Sequence, residues 1–147
     1  MVCMEITKEI LTQYIDLQKE AKEIRQKIEK LEEQIARIES EGAVIDKVLG
    51  GEGGIQSFKI EGFPYPAYSR KKTLLYARKA TLSELEMEIV ETLNQVEQFI
   101  SSINDSHIRR IINYRVVDGL SWNQVASRIG GNTEDSVRKA FDRFMEK

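Results

Sequence analysis

The feature that most constrains this chain is an apolar stripe near its start. Ile10, Tyr14, Leu17, Ala21, Ile24, Ile28, Leu31, Ile35 and Ile38 follow one another in alternating steps of four and three residues. That spacing is the period of a left-handed coiled coil. It predicts one long helix through residues 5–49. Gly42 falls on the seam and weakens it, and Ile45 and Leu49 resume it. The stripe is narrow and its flanks are charged, as in a seam that meets another helix. Leu17, Ala21, Ile24, Ile28, Leu31, Ile35 and Ile38 are therefore the expected oligomerisation surface. With Ala21 and Ile28 at heptad position a, Glu20 faces Arg25 and Lys27 faces Glu32 across a parallel pair, and both contacts attract. The competing reading is an amphipathic helix packed on its own domain.

The run GGEGG at 50–54 ends the helix and reads as a flexible hinge. Phe58, Ile60, Phe63, Tyr65 and Tyr68, around Pro64 and Pro66, then give an aromatic loop over 50–69 with room for a short strand. Such a loop packs over a helix end or stacks on a nucleic acid. Arg70, Lys71 and Lys72 follow, an auxiliary basic patch suited either to phosphates or to the solvated turns of a helix. A second amphipathic helix, over 70–104, presents Leu82, Leu85, Ile89, Leu93, Val96, Ile100 and Ile103 on one face. Ser83 with Glu86, and Thr81 with Glu84, fit capping boxes, so the helix starts there or runs straight through from Arg70. At 1.5 Å per residue, residues 10–49 span about 60 Å and residues 82–103 about 33 Å. A short second helix leaves the first largely uncovered and implies a second chain, whereas one starting near Arg70 covers nearly all of it.

Bulk properties exclude several classes. The single cysteine, Cys3, has no internal disulfide partner, and with the single histidine, His107, it is far short of a zinc site, so no metal or cofactor is expected. The opening MVCMEITKEIL lacks a basic region and a long apolar run, so no signal peptide or membrane span is expected, and the cytoplasm is the expected compartment. No nucleophile–base pair or phosphate loop is visible, which argues against an enzyme. The net charge of −2 hides an uneven distribution: residues 80–104 carry five acids and no base, whereas 105–147 carry eight bases and six acids.

The chemistry lies in residues 105–147. A helix from His107 to Val117 has Ile108, Ile111, Ile112 and Tyr114 as candidate core, and Asp118-Gly119 ends it. Ser121 caps the next helix, WNQVASRI, and Gln124 completes a capping box. Val125, Ala126 and Ile129 face inward, Ala126 being small enough for two helices to cross closely. Gly130 and Gly131 make a turn, and Asn132 or Thr133 caps a last helix whose Val137, Ala140, Phe141 and Phe144 face the core. This is the layout of a helix-turn-helix. Its outer stripe, Glu134, Asp135, Arg138, Lys139 and Asp142, is the expected base-facing set for a major groove. Ser121, Asn123 and Arg128 are placed for phosphates. Trp122, one residue after the cap, reads as packing.

The stretch RRIINYRVVDGLSWNQVASRIG resembles the region-four helix-turn-helix of sigma factors and its phage relatives, through Gly119, Leu120, Ser121, Trp122, Val125 and Ala126. GGNTEDSVRKAFDRF departs from sigma factors by about one extra turn residue and is closer to small phage and prophage regulators. The resemblance covers about a third of the chain and implies transcriptional control. No region-two signature is present.

The expected architecture is all-α: a long N-terminal coiled coil or helical hairpin plus a C-terminal three-helix helix-turn-helix domain. The expected function is a sequence-specific regulator of phage or prophage genes. Its expected partners are double-stranded DNA and a second copy of itself, with RNA polymerase a further candidate. The alternatives are a phage DNA-packaging factor of the small-terminase kind and a coiled-coil adaptor that binds RNA polymerase.

Overall fold

The structure, a computed structural model, describes residues 5–49 and 63–146. Every regular element among them is helical: α1 (Lys8–Leu49), α2 (Tyr65–Ser102), α3 (Ser106–Ile112, continued by a π-helical turn, Asn113–Val117), α4 (Trp122–Ile129) and α5 (Glu134–Met145). None of these helices is long and apolar enough to cross a membrane. The described residues form two compact units, one of 22–49 with 63–84 and one of 5–21 with 85–146.

The first unit is a helical hairpin. Ile28, Leu31 and Ile35 of α1 are buried with Leu75 of α2, and Ile24, Tyr68 and Leu82 border them. Polar links flank this core: Tyr68 donates to Glu39 at 2.7 Å, Lys71 donates to Gln34 at 2.8 Å, and Lys79 pairs with Glu32 at 3.4 Å. Residue numbers fall on α1 as they rise on α2, so the helices run antiparallel.

This corrects the oligomerisation seam. Ile28, Leu31 and Ile35 are buried within a single chain, and so are Leu17 and Ala21 in the other unit; Ile24 and Ile38 are half-buried. The physical reason is the start of α2. It begins at Tyr65, inside the stretch read as loop and ahead of the expected helix at 70–104. Pro64 and Pro66 do not prevent this, because the first turn of a helix has no backbone acceptor for their missing N–H groups. Thr81 is no cap: its hydroxyl donates to the Ala77 carbonyl at 3.1 Å in mid-helix.

Of the described aromatic residues in this stretch, Phe63 and Tyr68 reach α1. Phe63 lies 4.4 Å from Tyr65 and 5.3 Å from Tyr68 between ring centroids. The Phe63 ring fills the space that a Cβ at Gly42 would need. Gly42 therefore admits a ring where it was expected only to weaken the seam. Phe58, Ile60 and the hinge at 50–54 lie outside the described residues. The basic patch has partners of its own. Arg70 donates to the Pro66 carbonyl at 3.2 Å, Lys71 binds Gln34, and Lys72 sits 4.9 Å over the Tyr68 ring; the Tyr68 side chain, as a hydrogen-bond partner, raises the pKa of Lys72.

The second unit gathers the start of α1, the end of α2 and α3–α5 around one core. Leu11, Tyr14 and Ile15 of α1, Val96 of α2, Ile103, and Ile108, Ile111, Ile112, Val116, Val125, Ala126, Val137 and Phe141 share it. The C-terminal helices thus do not form a core by themselves. Leu11 and Ile15 stand off the heptad seam, and they widen the apolar face of α1 where it meets α3–α5 as well as α2. Gln18, next along that wing, donates to the Val117 carbonyl at 3.4 Å and to the Tyr14 hydroxyl at 3.0 Å.

Candidate nucleic-acid interface

Local chemistry fixes the geometry of α3, α4 and α5. The Asp105 carboxylate accepts from the amides of His107 and Ile108 and starts α3. The helix closes one residue wider than an α-helix, with the Asp118 amide donating to the Asn113 carbonyl at 3.0 Å. Such π turns insert one residue into the helical repeat. Gly119 follows at φ 70°, and the Leu120 amide donates back to the Tyr114 carbonyl at 3.1 Å. A side chain at that φ is strained, which is why glycine stands there.

The Ser121 hydroxyl accepts from the Gln124 amide at 3.2 Å, and the Gln124 side chain accepts from the Ser121 amide at 2.9 Å. This reciprocal pair starts α4. Val125 and Ala126 are buried on its inner side, while Asn123, Gln124, Ser127 and Arg128 are exposed. Gly130 at φ 78° and Gly131 at φ 67° turn the chain. The Thr133 hydroxyl accepts from the Ser136 amide at 3.1 Å and starts α5; Asn132 instead bonds the Gly130 carbonyl and the Ser136 hydroxyl. Val137 and Phe141 face Val125 and Ala126 in the common core. Trp122 is packing, its ring 5.3 Å from Phe141, with the Arg115 guanidinium stacked 4.7 Å above it. Arg115 also donates to the Leu120 carbonyl at 3.0 Å, and burial lowers its pKa.

The exposed sides of α4 and the start of α5 bring together most of the expected site. Ser121, Asn123, Arg128, Glu134, Asp135, Arg138 and Lys139 are all exposed. Arg128 has no acidic partner among the described residues. Two features were not foreseen. Asp135 holds two of the three cations of α5, at 2.9 Å from Arg138 and 2.8 Å from Lys139. Lys139, then Arg138, holds its carboxyl below the usual carboxylate range. Asp142 turns away from this stripe to pair with Lys8 of α1 at 2.8 Å. It lies on the border of a cleft of about 220 Å³ that Lys8, Asp16, Arg115, Trp122 and Arg138 also line. The i, i+3 and i, i+4 spacings around Asp135 were the sequence signal for its two pairs. The Lys8–Asp142 pair had no such signal, since it joins opposite ends of the chain.

The face as a whole is polar, nearly balanced in charge and carried on two capped helices. Comparison of the chain with known protein families, curated proteins and solved structures returned no match.

Proposed function

We propose that this protein is a sequence-specific DNA-binding transcriptional regulator that uses α4 and α5 as a helix-turn-helix. The supporting observation is the exposed polar face shared by the two capped helices, with small Ala126 and the left-handed glycines between α3 and α5. In this reading the start of α5 enters the major groove. Arg138 and Lys139 donate to guanine there, and Glu134 or Asp135 accepts from cytosine. Ser121, Asn123 and Arg128 hold phosphates and set register. The likeness to sigma region four, and that alone, points to phage or prophage genes.

Selection of the full chain against random duplex DNA tests the proposal. A recovered consensus is expected. On that site Arg138→Ala should weaken binding by about 1–3 kcal/mol, with much less effect on scrambled DNA. Arg128→Ala should weaken both and lower the salt slope by roughly one. Failure to enrich any sequence, with the protein folded, would overturn the reading. One observation favours the adaptor alternative: Asp135 already pairs with Arg138 and Lys139, the two cations proposed to read bases. An adaptor would leave the selection empty yet co-purify with RNA polymerase.

A further inference from the structure

The Arg115 guanidinium is half-buried and has no carboxylate partner among the described residues. Burial lowers its pKa, and no neighbouring acid offsets that. It donates to the Leu120 carbonyl at 3.0 Å and lies 4.7 Å over the Trp122 ring. A guanidinium carries a whole fork of N–H donors, and that bond uses one of them. A desolvated cation without a counter-ion is costly to hold. Arg115 also stands in the π-helical turn Asn113–Val117, and such turns recur at functional sites.

This cation lines the cleft of about 220 Å³ between the first turns of α1 and the helices α4 and α5, all within the second unit. The floor of the cleft is apolar, with Leu11, Ile15 and Phe141 buried there. Its charged lining is Lys8, Asp16, Lys19, Arg115, Arg138 and Asp142. Lys8 holds Asp142 at 2.8 Å, and Arg138 is held at 2.9 Å by Asp135, which is not part of the lining. Arg115 and Lys19 then stand against Asp16, which leaves a single positive charge in excess. We propose that this cleft binds a small organic monoanion, a carboxylate on a compact apolar body. The guanidinium fork takes the carboxylate in the paired geometry that suits both groups. Lys19 adds positive charge at the rim, and the apolar floor receives the body. The cleft is smaller than the roughly 300–1,000 Å³ that drug-sized ligands occupy, which limits that body to about one ring. Asp16 disfavours a more highly charged anion such as phosphate.

The inference stands apart from the DNA reading, because its test uses the full chain without DNA. Trp122 lines the cleft and is the only tryptophan, so its fluorescence reports on the site directly. Benzoate is the probe, and it should give a saturable change at about millimolar concentration. Benzamide keeps the ring and loses the charge, and it should bind about tenfold more weakly or not at all. Inorganic phosphate should give no saturable change. Arg115→Lys keeps the charge and loses the fork, and should weaken benzoate by about tenfold. Thr12→Phe, at an exposed position in the lining, should fill the cleft and abolish the response with helicity and melting unchanged. A wild-type chain without a saturable benzoate response would overturn the proposal. So would equal binding of benzamide or phosphate, or a benzoate response that survives Thr12→Phe unchanged.

Discussion

Asp135 decides how α5 presents its positive charge. Its carboxylate is fully shared between Arg138 and Lys139, so the exposed stripe carries little net field. A groove-binding helix must break or redirect those pairs before either cation reaches a base or phosphate. Asp135→Asn should therefore strengthen binding to random DNA by several-fold and steepen the salt dependence by about one to two phosphate equivalents. On the selected site the gain should be smaller if Asp135 itself accepts from cytosine. A salt titration of both proteins on both DNAs reads this directly. Equal affinities and slopes would show that α5 does not approach DNA. The same pairs fix the sign of an acid response. Because the folded carboxyl is held below its ordinary value of 3.8, the pairing is intact above that pH and is lost as pH falls through the depressed value. These groups are exposed, so the effect on stability is small and the effect on charge presentation is the one to measure.

At the scale of elements, the sequence was legible wherever a local rule governs. The capping box at Ser121 and Gln124, the left-handed Gly119 and the inward Val125 and Ala126 all appear as their spacing requires. The π turn at Asn113–Val117 had no such signature, because it follows from how the end of α3 meets the Gly119 turn. The seam of α1 was legible as a stripe but not in its partner. A heptad pattern specifies a facing helix and is silent on whether that helix belongs to the same chain. What would have decided the matter was the start of α2, hidden by two prolines that the first helical turn accommodates. Leu11 and Ile15 were a readable signal. They form an i, i+4 pair beside the seam in the first turns, and Gln18 and Lys22 end that wing. The hairpin reading makes a prediction distinct from that of a coiled coil between chains. Ile28→Ala should leave the oligomeric state unchanged and destabilise the fold by about 2–5 kcal/mol, as a truncation in a packed core does. Thermal melts at several protein concentrations check it. A destabilisation that deepens on dilution for the variant alone would place Ile28 between chains instead.

At the scale of the molecule, the residues proposed to contact DNA do not sit on an independent module. Tyr14 is 1% exposed and Leu11 is fully buried, and both share a core with Ile111, Ile112 and Phe141. Phe99 of α2 packs on Phe144 of α5 at 6.4 Å, and Lys8 holds Asp142. A fragment of residues 105–147 loses all of these partners. Forty-odd residues without a disulfide or metal bury too small a core to offset their chain entropy with ease, and here part of that core lies on other helices. The fragment should therefore be largely unfolded in isolation. A peptide of residues 5–21 cannot restore it alone, since Val96 and Ile103 are missing as well. A single-chain fusion of 5–21 and 85–146 through a Gly/Ser linker should recover the native near-ultraviolet signal of Trp122, whose ring is fixed only when Phe141 and Arg115 are in place. Within the full chain, Tyr14→Ala removes a large buried side chain and should cost about 3–5 kcal/mol, although it lies far in sequence from α4 and α5. If the 105–147 fragment instead melts cooperatively with the Trp122 signal of the full chain, the start of α1 is a passenger on this unit, and Tyr14→Ala should then leave DNA binding intact at temperatures where the rest of α1 has melted.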